Sequence, residues 1–443
     1  MGGGGAVVGE LMARRGVGLT ALLIGLGAAL GLPANKAFAQ SAAHTNAADT
    51  SNDHFRRDRN ISVAQRRQAR DDGAGWRVGS FLVRPELDLE IGYTDNFAAD
   101  ETDPQGSAIY EADVRLSANS DWGRHALNAS LYVPTTSYGS NFTTTDAIGT
   151  VDGRFDVDHS FSIDGGVGYG YRSEPLGFSP AGQQLGHPLR YQDTTAHVGF
   201  IKTFNRLRLG GRVGYGRKDY GDGRLTDGTV VSFDERDVSY VTYDLRADYA
   251  VSDSTALFVS AGANTRDHRI DLPVNQDSQG YEYLVGANFD LTHLIRGEVG
   301  VGYLTQTFDD PAIKSQSGLA VHGSVDWFPD PLVTVNLGAQ RSIQDSYSPS
   351  TGTFVGTDVN LIVGYEFRRN INVTLSSGYS DDEYNGIDRH DTRWNAYAGA
   401  EYEANRMLAL TFSAGHQEQS SSGVDRGRNY DANVAFFGVR LRR

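Results

Sequence analysis

The chain has 443 residues, no cysteine, and 55 Asp and Glu against 40 Lys and Arg, for a net charge of −15. That excludes disulfide frameworks, thiol nucleophiles and thiolate metal sites, and the acidic balance argues against a nucleic-acid partner, which needs a basic face. Beyond residue 33 no apolar run reaches the roughly 20 residues of a membrane helix, yet 53 Gly, 22 Tyr and 20 Phe do not make a disordered chain either.

Residues 1–39 read as a secretory signal peptide. Arg14 and Arg15 form a basic start, the apolar stretch runs from Val17 to Leu32, and Ala37-Phe38-Ala39 places cleavage between Ala39 and Gln40. Met12-Ala13-Arg14-Arg15 reads as a more ordinary start than Met1. Residues 40–79 are poor in apolar groups and carry Arg56, Arg57, Arg59, Arg66, Arg67 and Arg70. This composition predicts a flexible periplasmic segment with solvated charges, the alternative being a docking arm for a partner.

From residue 80 to the end the period is two. Leu87, Leu89, Ile91 and Tyr93 alternate with Glu86, Asp88 and Glu90; Val151, Phe155 and Val157 with Asp152, Arg154 and Asp156. The pattern returns in Leu207, Leu209 and Val213 against Arg208 and Arg212, and in Tyr243, Leu245 and Tyr249 against Asp244, Arg246 and Asp248. Such alternation marks strands with one apolar and one polar face. Strands are predicted at 81–94, 107–119, 125–138, 146–158, 160–172, 192–204, 207–220, 238–251 and 255–269, then at 279–291, 295–308, 316–328, 333–346, 354–368, 371–384, 391–404, 407–419 and 428–442. Tight turns such as Phe204-Asn205-Arg206 and Ser252-Asp253-Ser254 alternate with long polar loops such as 173–191 and 221–237. The expected fold is all-β: a transmembrane antiparallel up-and-down β-barrel of about 18 strands, with short periplasmic turns and long extracellular loops. A soluble sandwich would have shorter strands with continuous apolar inner faces.

If the apolar face meets lipid, the alternate positions line the lumen: Glu86, Asp88, Glu90, Glu111, Asp113, Arg115, Asp152, Arg154, Asp156, Arg208, Arg212, Asp244, Arg246, Asp248, Asp290, Glu298, Asp326, Glu366 and Glu401. Charges of both signs there imply water or dense salt bridging, and a barrel this wide is expected to hold a water-filled passage. Parity also points Tyr110, Tyr132, Tyr240 and Tyr397 inward, where aromatic stacking with carboxylate and amide hydrogen bonds would suit a glycan. Two aromatic girdles are expected, one at the long-loop ends (Tyr93, Tyr138, Tyr169, Tyr171, Tyr215, Tyr220, Tyr303, Tyr365, Tyr379, Tyr384) and one at the short-turn ends (Phe155, Phe161, Phe204, Tyr249, Trp327, Phe328, Phe367, Tyr402). Pro175, Gly177, Phe178, Pro180, Gly182, Gly186 and Pro188 make 173–191 a candidate plug, or else an ordinary surface loop.

The opening Val83-Arg84-Pro85-Glu86-Leu87, then Gly92-Tyr93-Thr94-Asp95-Asn96-Phe97, resembles the start of the putative β-barrel porin 2 family. Gly280-Tyr281-Glu282-Tyr283, Asp290-Leu291-Thr292, Gly300-Val301-Gly302-Tyr303 and Phe308-Asp309-Asp310-Pro311 extend the likeness over most of 80–443. The resemblance implies an outer-membrane barrel of a Gram-negative envelope, associated in many members with exopolysaccharide or capsule secretion, some serving a periplasmic polysaccharide-export protein. It brings no catalytic motif. The terminal aromatic common in barrel insertion signals is replaced here by Arg443.

Three functions fit such a barrel. The favoured one is a conduit for exported polysaccharide, with a general diffusion porin for small hydrophilic solutes as the alternative. A barrel hydrolase would need a His with Ser or Asp near the rim, for which His187, His268 and His390 beside Asp388 and Asp391 are the candidates, with Asp309-Asp310 and Asp381-Asp382 nearby. An adhesion or structural barrel is the third. No metal-ligand spacing or nucleotide fingerprint appears, so no cofactor is expected; Gly166-Val167-Gly168-Tyr169-Gly170 lies inside a strand with no helix following. The expected partners are outer-membrane lipid and lipopolysaccharide, the barrel-assembly machinery, a periplasmic polysaccharide-export protein, and the polysaccharide or solute itself.

Overall fold

The computed structural model describes residues 61–71, 75–139, 142–174, 185–225, 227–270, 274–292, 294–345 and 353–443. The signal peptide and residues 175–184 of the candidate plug lie outside them.

The alternating segments form one antiparallel ring: β1 (Phe81–Thr94), β2 (Ser107–Ser120), β3 (Ala126–Tyr138), β4 (Ala147–Asp158), β5 (Phe161–Ser173), β6 (Arg190–Phe204), β7 (Leu207–Tyr220), β8 (Val238–Ala250) and β9 (Thr255–His268). It continues through β10 (Ser278–Leu291), β11 (Ile295–Phe308), β12 (Gln316–Asp330), β13 (Val333–Asp345), β14 (Thr353–Arg368), β15 (Ile371–Tyr384), β16 (His390–Glu403), β17 (Leu408–Ser422) and β18 (Tyr430–Arg442). Each strand pairs with its neighbours in sequence, and β18 closes on β1 from Glu86↔Arg442 to Thr94↔Val434. Closure of all eighteen strands leaves no sheet edge where first and last strands pair, the condition for strands to cross a bilayer. Below Glu86, where β1 runs past its pairing with β18, a short strand Trp76–Val78 folds back onto Phe81, Leu82 and Val83 and covers that edge.

The outer face carries the alternating apolar residues. Leu245, Val167, Val285 and Leu319 are about 60 % exposed, a liability in water and the expected contact surface in lipid. Tyr93, Tyr169, Tyr171, Tyr215, Tyr303 and Tyr379 ring the long-loop side, and Phe155, Phe204, Tyr249, Trp327, Phe367 and Tyr402 the other; all are exposed. Four of the expected girdle residues belong elsewhere. Tyr138 backs an inward apolar cluster of Ile109, Tyr397 and Phe436. Tyr220 packs on Leu185, Leu189 and Phe233, Phe328 lies under the Arg296 guanidinium, and Tyr384 under that of Arg389. Tyr365 faces outward but sits at the short-turn end, edge-on to Phe367. At strand ends alternation alone does not separate a girdle tyrosine from one folded over the rim.

A feature with no counterpart in the sequence reading is a helix, α1 (Val63–Asp71), in the stretch expected to be flexible. Ser62 and Gln65 cap it reciprocally: the Gln65 backbone N–H donates to Ser62 Oγ (3.1 Å) and the Ser62 backbone N–H to Gln65 Oε1 (2.9 Å). The helix lies on the inner face of the barrel near the short-turn ends of the strands.

Candidate functional site: the lumen wall

Period-two geometry puts the partners of the lipid-facing residues on the inner wall, and cross-strand pairing brings their charges together. Arg115 is the hub of the first belt. It donates to Glu86 Oε1 (3.0 Å), to Asp88, and to Asp113 Oδ2 (3.2 Å). Tyr132, 4.8 Å beneath its guanidinium, donates its hydroxyl to the same Asp113 oxygen (2.7 Å). Across the closing seam Arg440, 2 % exposed, donates to Asp88 Oδ1 and Glu401 Oε2, each at 2.7 Å. Glu90 accepts from Thr411 (3.0 Å), and Glu111 from Thr136 (3.4 Å). Taking charges out of water costs several kcal/mol per ion unless they are paired and hydrogen-bonded, and here the pairing is dense.

A second belt lies on β8 to β13. Arg246 bridges Asp248 (2.8 Å) and Glu298 (2.7 Å) over the Phe258 ring, 3.9 Å away. Arg296 meets Asp326 at 3.0 Å, and Asn336 donates to the other Asp326 oxygen at 2.8 Å. On β4 to β7 Arg212 meets Asp164 (3.1 Å), His197 lies between Asp152 (4.0 Å) and Asp164 (3.5 Å), and Arg154 pairs with Asp156 (3.1 Å). Arg208 is buried at the β7 start. Asp244 and Glu282 flank Gly262 on the inner wall and make no salt bridge or hydrogen bond among the described residues.

A third region differs in kind. The middle of the inner wall on β13 to β17 carries Gln340, Asn360, Ser376, Asn395, Ser413 and Gln417, all uncharged. Asn360 and Asn395 lean over Gly378, where a Cβ would come within 3.1 Å of both amides. Of the four tyrosines expected inside, Tyr132, Tyr240 and Tyr397 are there. Tyr240 and Tyr397 cover Gly216 and Gly415, positions with no room for a side chain. Tyr110 points out, cross-strand from Ile91 and 51 % exposed; the intervening Glu111, Asp113 and Arg115 fix that parity.

Sequence reasoning missed Arg440, Asp164, Arg296 and Glu282, although Arg296 and Glu282 share strand parity with Glu298 and Asp290, and Arg440 and Asp164 stand register-opposite Asp88 and Arg154. The amide stretch carries no charge to mark it as lumen-facing in the sequence. At the rim His390 Nε2 meets Asp381 (3.0 Å), and the Ser422 hydroxyl opposite it donates to the His390 carbonyl rather than the ring. His268 faces Asp277 at 3.6 Å, and His187 lies edge-on to Phe142. No group of three or more potential metal ligands occurs among the described residues. In the candidate plug, Leu185 and Leu189 pack against Phe233 of the 221–237 loop, and Glu174 takes two hydrogen bonds from Arg236 (2.6 and 2.9 Å).

A closed barrel, apolar outside and charged within, defines an outer-membrane channel of the porin type. The chain belongs to the family described as putative beta-barrel porin 2, which matches residues 71–443. Among curated proteins nothing matches. Similar solved structures include the siderophore receptor PiuA from Acinetobacter baumannii (10 % identity, 84 % of this chain and 82 % of that one, TM-score 0.48). Others are the outer membrane protein opdK from Pseudomonas aeruginosa (12 %, 82 % and 98 %, 0.42) and a BenF-like porin from Pseudomonas fluorescens Pf-5 (12 %, 82 % and 99 %, 0.42).

Proposed function

We propose that this channel conducts an uncharged or weakly acidic, hydroxyl-rich polymer, an exopolysaccharide or capsule-type chain leaving the cell. The observation that supports the reading is the uncharged stretch Gln340–Asn360–Ser376–Asn395–Gln417 on one side of a wall whose other charges are largely neutralised in pairs. Amides and hydroxyls exchange hydrogen bonds with sugar hydroxyls at little net cost, so a glycan could slide along them without being trapped. The acidic remainder at Asp244 and Glu282 disfavours small anions. No step of bond chemistry is assigned. The reading includes a signal peptide removed between Ala39 and Gln40, insertion by the barrel-assembly machinery, contact with lipopolysaccharide and supply from a periplasmic export protein.

The test is planar-bilayer recording with neutral oligosaccharides of increasing length. Transient current blocks are expected in the parent, and Asn360→Leu with Asn395→Leu is expected to shorten them while leaving ionic conductance unchanged. Ionic current that no oligosaccharide interrupts would favour the alternative, a general diffusion porin for small solutes, which the breadth of an eighteen-strand ring supports.

A further inference from the structure

The underside of α1 is unlike any other contact in the barrel. Among the described residues its bonded partners on the barrel are inner-wall residues within a few positions of the short-turn strand ends, and they span β11 to β16. Arg296 donates to Gln65 Oε1 (3.4 Å), and the Val63 N–H donates to Thr334 Oγ1 (3.0 Å). Arg66 meets Glu366 at 3.3 Å, and Arg67 meets Glu401 at 3.1 Å. A nine-residue helix that touches β11 at one point and β16 at another bridges an arc of the wall instead of following one strand.

The contact is also thin. Val63, 5 % exposed over Gly364, is the one buried apolar residue of the helix among its described side chains. Between Glu366 and Glu401, register-paired to both, Asn372 is buried with neither its Nδ2 nor its Oδ1 hydrogen-bonded among the described residues. Arg66 Nη2 is likewise buried with no hydrogen-bond partner among the described residues. Helices this short are marginal in water alone, so α1 depends on a contact that is polar, partly exposed and incompletely satisfied.

Resting on the channel reading above, we propose that α1 is a displaceable gate, an arginine-bearing segment of this chain that occupies the periplasmic mouth and narrows it until displaced. Glu401 makes displacement inexpensive, because Arg440 continues to neutralise it when Arg67 leaves. The gate is electrostatic, so rising salt weakens it. A cationic segment of a periplasmic partner would compete for Glu366 and Glu401.

The geometry supplies its own test. A Cβ built on Gly364 lies 3.5 Å from that of Val63, within disulfide span, and the chain has no other cysteine. The full-length variant Val63→Cys with Gly364→Cys is expected to crosslink on mild oxidation, read as a reducible mobility shift. Single-channel current is expected to step up on reduction and fall on reoxidation. In a second full-length variant, Arg66→Glu with Arg67→Glu, the higher current is expected without any reductant, and adding the cysteine pair to it is expected to lower the crosslink yield. No crosslink would overturn the docked helix. A crosslink without a current step would overturn the gate alone. No current in any form, with the crosslink intact, would overturn the channel reading and the gate with it.

Discussion

Glu401 Oε2 accepts from two arginines, and the two contacts behave as opposites. Arg440 reaches it at 2.7 Å from β18, two strands along the same sheet, 2 % exposed and clamped on its other side by Asp88. Arg67 reaches it at 3.1 Å from α1, 25 % exposed. One guanidinium is positioned by backbone pairing that closes the barrel, the other by a helix with a single apolar anchor. The difference lies in what holds the donor and how much water is displaced, since the acceptor is the same atom. A wall-borne pair becomes part of the fold, whereas a pair made by an appended helix can serve as a switch.

The sharpest way to break this comparison is to remove each donor. Arg440→Ala strands Asp88 and Glu401 in a buried belt and is expected to cost about 3–5 kcal/mol, measured as a fall in the temperature at which the folded barrel loses its gel mobility. Arg67→Ala is expected to cost less than about 1 kcal/mol in the same assay; equal losses would erase the distinction. Arg246→Met asks whether the seam is special. It leaves Glu298, 2 % exposed, without its bridging cation, and a loss of about 3 kcal/mol would show that belts away from the closure matter as much. Smaller in stability terms is Asp244→Asn with Glu282→Gln, expected to leave the melting temperature nearly unchanged while the reversal potential in a KCl gradient moves toward lower cation preference.

The smallest effect is at the outer loops. Glu101 accepts two 3.1 Å hydrogen bonds from Arg426, and these hold its carboxyl below the usual range. A lowered folded-state value means that the tie is present at neutral pH and lost as pH falls through that value. Loop proteolysis near residues 423–429 is expected to rise on acidification, and Glu101→Gln is expected to raise it at every pH.

How much of this was legible in advance depends on the kind of periodicity involved. Alternation in Leu87, Leu89, Ile91 and Tyr93 against Glu86, Asp88 and Glu90 sufficed to place β1 to its observed ends, because a one-residue slip would turn charges into lipid. The same logic selected Asp88, Arg115, Arg246 and Glu298. It failed for Tyr110, whose parity was assigned inward against that of Glu111, Asp113 and Arg115 on the same strand, and for Ile109 and Phe436, which are apolar yet face inward. The capping pair Ser62 and Gln65 was visible as S-x-x-Q, but a stretch so rich in arginine offered no apolar stripe from which to predict a helix.

The sequence by itself determined a ring of long amphipathic strands with short turns on one side, hence a membrane barrel, since that pattern is local and repeats every second residue. Only the tertiary structure decided which charges meet. Arg440 and Asp88 are separated by most of the chain, and their bond exists because the last strand closes on the first. It also decided that Arg66 and Arg67 turn back to the wall, because a helix too short and too polar to stand alone forms where Glu366, Glu401 and Gly364 receive it.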